Sequence, residues 1–162
     1  PGEGTGFEAV VAAALDVRAR LEALGLTSFV KTTGGKGLHV VLPIAPDHPW
    51  PEVKGWAKAL SERMAADAPD RYLTRIAKAE REGRIFIDYL RNDPTSTAVA
   101  PYSTRARPGS PVAMPLAWEA LKPGLDPKAF SVRTAAPHVA DTPDPWADMG
   151  RLSQRLPALG DG

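Results

Sequence analysis

The sequence predicts an α+β domain in which a small antiparallel or mixed sheet is flanked by helices. Three observations carry that expectation. Phe7, Val10, Val11, Ala14, Val17, Leu21 and Leu24 recur at three-and-four spacing, the pattern of one buried helical face. Two short apolar runs, 26–32 and 38–44, are joined by "TGGKG", a glycine-rich connection suited to a hairpin. Further along, "RIFIDYL" at 84–90 is β-branched, aromatic and alternating, as a strand requires.

Taken in order, the first helix is expected over 6–24. Thr5 and Glu8 have the spacing of a capping box, and Gly25 is the stop signal. The two strands of the hairpin follow. Pro51 suits the first turn of a second helix, where a missing N–H costs little; Val53, Trp56, Ala57, Leu60 and Met64 mark its buried face, and Pro69 ends it. Asp70 is expected to cap a third, shorter helix carrying Tyr72, Leu73 and Ile76, broken at Gly83. After the 84–90 strand, "RNDPTST" reads as a turn and "AVAPYS" as a partner strand. "RARPGSPVAMP" reads as a loop and "LAWEALK" as a short helix. Asp126 caps one more helical turn, ending near Phe130. From residue 135 to 162 the chain is polar and proline-rich, a tail or linker packed on a body of residues 1–134, with Trp146 as its anchor.

Composition narrows the functional classes. The 162 residues suffice for one domain with a core, and 43% hydrophobic with 24% charged residues is ordinary for a globular chain. No apolar run has the length of a membrane span. The opening residues carry neither the basic region nor the apolar stretch of a signal peptide. With no cysteine, disulfides and thiolate metal sites are excluded, so any metal must use carboxylate, histidine or water ligands. The net charge of +1 means that attraction to nucleic acid must come from local clusters.

Four stretches carry candidate chemistry. "KTTGGKGLHVVLPI" puts three glycines and two lysines, Lys31 and Lys36, in seven residues ahead of His39. Glycines allow a backbone nest for anions, but they equally make a plain hairpin turn, and the Walker spacing is absent. His39 beside a strand reads as structural or as a ligand-facing imidazole. Asp88 within "IFIDYL" places a carboxylate on an apolar face, where it must pair with an arginine or hold a cation. Arg105 and Arg107 in "YSTRARPGS" share a face of an extended segment and suit bidentate contact with phosphate oxygens, or form a solvated basic loop. "KAEREGR", with Lys78, Arg81 and Arg84, suits a nucleic-acid backbone or is a solvated helix face balanced by Glu80 and Glu82.

Taken together and in order, "KTTGGKGLHVVLPI", "EREGRIFIDYLRND" and "AVAPYSTRARPGSPVAMPLAWEAL" resemble the primase-polymerase domain of bacterial ATP-dependent DNA ligase D, a branch of the archaeo-eukaryotic primase superfamily. The resemblance covers roughly residues 1 to 134. It implies a catalytic fold related to the RNA-recognition motif. It also implies template-directed addition of nucleotides, preferably ribonucleotides, to DNA 3′ ends in non-homologous end joining. The implied cofactor is a divalent ion, Mn²⁺ or Mg²⁺, and the implied substrate a nucleoside triphosphate. Implied partners are DNA ends, Ku and a ligase domain on the same or another chain, in a bacterial cytoplasm at the nucleoid.

By the same resemblance Asp88 matches the family's single metal-binding aspartate and His39 the histidine on the incoming triphosphate. Thr33 stands where the family usually has serine, Lys36 matches the glycine-loop lysine, and Arg105 and Arg107 match the arginine pair at the phosphates. Arg91 lies in the family's Asp-Tyr-Leu-Arg-Asn block as a supporting residue, and Lys78, Arg81 and Arg84 are candidates for DNA contact. One departure is large. The family's Asp-x-Asp metal pair precedes a Pro-Gly that matches Pro1 and Gly2, so the chain is expected to be the C-terminal part of the domain and inactive alone. A non-catalytic DNA-end or nucleotide-binding module of the same lineage is the alternative.

Overall fold

The structure, a computed structural model, describes residues 1–75 and 82–159. Helix α1 runs Phe7–Ala23. Its end is the predicted glycine stop: Gly25 takes φ +74°, Leu26 N–H reaches Leu21 O at 2.9 Å and Gly25 N–H reaches Glu22 O at 2.9 Å. That is the paired closure of a Schellman motif. The capping box does not form. Gly6 is the N-cap, so Glu8 falls one position short of the place needed to reach back. Thr5 Oγ1 is buried with no hydrogen-bond partner among the described residues.

Strand β1 (Phe29–Thr32) is buried along its whole length. It pairs antiparallel with β2 (Leu38–Val41), Lys31 opposite His39, and on its other edge with a short strand introduced below. Both strands are shorter than the apolar runs suggest. Residues 27 and 28 are bonded elsewhere, and Pro43 cannot donate to a ladder. Helix α2 (Trp50–Asp67) has Pro51 in its first turn. Met64 on its inner face is buried, whereas Val53, Trp56, Ala57 and Leu60 are only half-buried because they line a cavity.

Among the described residues the start of the expected third helix is not helical. Tyr72–Leu73 is a strand, β3, parallel to β4 (Ile85–Phe86). Ile85 N–H reaches Arg71 O and Ile87 N–H reaches Leu73 O, at 2.8 and 2.9 Å. Tyr72 and Leu73 are consecutive and both buried, an arrangement that a two-sided strand permits and a surface helix does not. Ile76 of that expectation lies outside the described residues. The ladder stops at Ile87, so the chain from Asp88 onward is turn rather than strand.

"AVAPYS" does not pair with 84–90 either. Tyr102 N–H reaches Ala113 O at 2.7 Å, Ala113 N–H reaches Ser103 O at 3.0 Å, and Arg105 N–H reaches Pro111 O at 2.8 Å. The predicted loop is thus a hairpin around 105–111, and it continues into β5 (Pro115–Leu116) on the far edge of β1. Residues 118–120 form a 3₁₀ turn rather than an α-helix. Asp126 does cap the next turn, accepting from Lys128 N–H at 2.9 Å.

Two core clusters share α1. Val11 and Ala14 face Val30, Met114 and Leu116 of the three-stranded sheet; Val10 and Ala13 face Met64, Tyr72 and Ile85. The last segment crosses the body. It begins with α3 (Ala135–Asp141). Trp146 then sets its ring edge on Phe29, 6.2 Å between centroids, and donates from Nε1 to Val30 O at 3.1 Å. Gln154 clips Thr27 and Pro43 with its side-chain amide, and its carbonyl accepts Ala45 N–H at 2.8 Å.

Candidate functional site

The β1–β2 connection is a tight turn closed by Thr33, whose Oγ1 donates to Gly37 O at 3.1 Å. Its glycines are seats for arginines. Gly34 takes φ +65°, and a Cβ there would lie 2.6 Å from Arg105 Cγ and 3.3 Å from Pro111 O. A Cβ on Gly35 would lie 3.0 Å from Arg107 Nη1. Arg105 Nη1 also donates to Thr33 O at 3.1 Å. Glycine turn and arginine hairpin are therefore one packed unit, and it is the long-range pairing of the hairpin's second arm, 112–116, with β1 that brings the guanidiniums there. Lys36 is exposed at the tip of the turn.

Beside this unit a cavity of about 490 Å³ opens, bordered by Gly37 and walled by Lys31, His39, Asp88, Tyr89, Arg91 and Asn92 at its polar end. Apolar side chains of α1 and α2, such as Val17 and Leu60, line the remainder. Asp88 is its sole carboxylate among the described residues. Its Oδ1 accepts Leu90 N–H at 3.0 Å and its Oδ2 lies 3.6 Å from Arg91 Nε. Arg91 is in turn held by Thr97 O at 2.6 Å.

Burial pushes the His39 imidazole down to about 4, with the charges of Lys31 and Arg91 acting the same way; Asp88 opposes them and Arg105 adds a smaller push. The ring is therefore neutral at physiological pH, one nitrogen donating and the other accepting. Lys31, the first lysine of the glycine-rich stretch, is buried, and its Nζ donates to Val99 O at 2.8 Å. A lysine in a short strand reads as solvent-facing; only its place in the central strand of the sheet buries it.

Around one polar end the fold thus gathers Lys31, Arg91 and Arg105 about His39, with Lys36 and Arg107 on the adjoining turn, against Asp88. Such an excess of fixed cations suits a polyanion. Arg84 lines no part of the cavity; its Nη1 donates to Pro69 O at 3.3 Å. Lys78 and Arg81 lie outside the described residues. Divalent Mn²⁺ or Mg²⁺ takes several oxygen ligands per ion. No group of three or more histidine, aspartate or glutamate side chains comes together among the described residues, so the donor set in hand does not fit a pair of such ions.

The model of the primase-polymerase domain of LigD matches residues 1–146. The chain belongs to the LigD primase-polymerase family. It is 39% identical over 140 residues to the multifunctional non-homologous end joining protein LigD of Pseudomonas aeruginosa, covering 85% of this chain and 17% of that protein. It is 28% identical over 152 residues to the bifunctional non-homologous end joining protein LigD of Bacillus subtilis, covering 93% and 25%. Among solved structures it resembles the polymerase domain of Mycobacterium tuberculosis ligase D in complex with DNA. The TM-score there is 0.85 with 30% identity, over 95% of this chain and 53% of that one. The chain therefore spans a quarter or less of these LigD proteins and about half of the solved domain. The α+β architecture is the LigD polymerase architecture. Among the described residues no helix is long and apolar enough to cross a membrane.

Proposed function

We propose that this chain forms the triphosphate-binding part of a LigD primase-polymerase, a nucleotidyltransferase that adds nucleotides, ribonucleotides included, to DNA 3′ ends during non-homologous end joining. One observation carries the reading: the glycine turn seats Arg105 and Arg107 beside a cavity where His39, Asp88 and Arg91 meet. Arg105, Arg107 and Lys36 take up phosphate charge, and the planar guanidiniums can do so bidentately. The neutral His39 donates to a phosphate oxygen, and Thr33 shapes the turn that presents these groups. Such fixed donors stabilise charge that grows on the leaving phosphates without reorganising at the moment of reaction.

Among the described residues Asp88 is the one carboxylate at the cavity that could be offered to Mn²⁺ or Mg²⁺, and Arg91 holds it in place. The remaining oxygen ligands must come from outside the described residues, and the 162 residues alone are expected to extend a primer negligibly. Arg84, with Lys78 and Arg81, is assigned to the DNA backbone. Residues 1–134 form the working body, and 135–162 a strap across it. DNA ends, Ku and a ligase domain are the partners proposed for the longer protein, at the bacterial nucleoid. The names of the relatives, which join end joining, polymerase and DNA, support this setting.

The Asp88–Arg91 ion pair favours a second reading, in which the carboxylate is structural and the chain is a nucleotide- or DNA-end-binding module. Primer extension decides between them. A polypeptide lengthened to the size of the solved domain should extend a primer with Mn²⁺; binding of triphosphate without extension would leave the module reading standing.

A further inference from the structure

Lys31 is the one cation at the polar end of the cavity that is deeply buried, 3% exposed in the middle of the sheet. Burying an ammonium is costly unless a counter-charge is supplied. Its Nζ has a carbonyl partner, Val99 O, but no ion pair with any described carboxylate. The groups facing it from every side sharpen the deficit. Across the ladder stands neutral His39, the 88–92 turn contributes Asp88 and Arg91, the arginine hairpin contributes Arg105, and Pro1 lines the same cavity. One carbonyl occupies one of three N–H donors, so two remain for a ligand.

We propose that Lys31 is a further phosphate-binding residue, whose counter-ion is the bound triphosphate itself. The inference rests on the triphosphate reading of the site and gives a role to the one lysine of the glycine-rich stretch that the resemblance left without one. A proton consequence follows. In the free chain burial, and then Arg105, push the Lys31 amine down to about 8. An anion against Nζ favours the charged form and drives that value back up. Above about pH 8 the free amine is largely neutral and the liganded one charged, so binding must take up a proton. A lysine that merely staples β1 to Val99 would show no such uptake.

The experiment is calorimetric titration of this chain with ATP, free of divalent metal, at about pH 9 in two buffers of different ionisation enthalpy. The parent should take up most of one proton. Lys31→Arg, charged at any accessible pH, should still bind and take up none; His39 and every other titrating group are common to both chains and cancel in the difference. Lys31→Met should bind about ten- to a hundredfold more weakly, the range for losing a charged hydrogen bond. Where Lys31→Met fails to fold, the arginine variant decides. Equal uptake by parent and Lys31→Arg, or undiminished binding by a folded Lys31→Met, overturns the inference while leaving the site reading intact. A parent chain that binds no ATP overturns both.

Discussion

The two sides of the polar cavity are built differently. On one side β1 is fully buried, bonded on both edges and locked by Thr32, whose Oγ1 donates to Val112 O at 3.1 Å and accepts Met114 N–H at 2.8 Å. The glycine turn and its two arginines hang from that strand. On the other side Asp88 stands where a two-residue ladder ends, its carboxylate 37% exposed and satisfied by its own turn and by Arg91. The contrast teaches which part of the site the fold prepares in advance. The groups proposed to meet phosphate are pre-positioned by long-range packing, at a cost already met during folding. The carboxylate is held only locally and keeps a partner that a cation must displace.

The strongest way to break this comparison is at Asp88. In a polypeptide lengthened to the solved domain, Asp88→Asn should lower Mn²⁺-dependent extension by a factor on the order of a thousand, the scale for losing a key electrostatic group. Unfolding free energy should move by less than about 0.5 kcal/mol, since the ion pair is exposed. Retained extension would remove Asp88 from any metal site. On the opposite side, Arg105→Ala should weaken metal-free ATP binding about ten- to a hundredfold, read by calorimetry. Equal affinity in variant and parent would take Arg105 away from the phosphates.

Stability sharpens the contrast from the prepared side. Thr32→Val keeps shape but leaves Val112 O and Met114 N–H without their buried partner. Denaturant unfolding should show a loss of about 1–3 kcal/mol. A loss no greater than that of Asp88→Asn would abolish the distinction between the two sides. A smaller effect is expected at Gly35. A Cβ there presses on the far end of Arg107, which can swing aside, and meets Thr33 Oγ1 only at 3.4 Å, ordinary contact. Gly35→Ala should therefore leave the melting temperature unchanged and weaken ATP binding a few-fold, with no added effect in an Arg107→Ala background. Additive losses would mean that the turn does not position Arg107.

How much of this was legible in the residues depends on the range of the interactions involved. Helix α1, its glycine stop and the hairpin after it rest on local periodicity and turn chemistry, and they could be read directly. Tyr72 and Leu73 could not, because their strand exists only through pairing with Ile85 and Phe86, and tertiary pairing overrode a local helix signal. The same holds for 102–104, whose partner is Val112–Ala113 rather than the strand before it. For the site, the arginine pair and the glycine turn were visible as separate features. That each glycine makes room for one arginine was not, since it depends on a hairpin fold-back across many residues. The burial of Lys31 was hidden for a related reason. Alternation describes a strand with one wet face, and β1 has none.

His39 offers the finest test, because its chemistry depends on the prepared side being dry. Its folded value of about 4 lies below the ordinary 6.5. The unfolded chain therefore binds a proton first as the pH falls. The corresponding stability is fully present above 6.5 and is lost as the pH drops from 6.5 towards 4. His39→Gln removes that contribution, so the gap in unfolding free energy between parent and variant should narrow across this window and stay constant above it. NMR titration of the ring should give the same low value, and added ATP should raise it, because a phosphate anion favours imidazolium. A ring titrating near 6.5 in the free chain would mean that water reaches it. The cations around it would then be screened, and the two sides of the cavity would be equally loose.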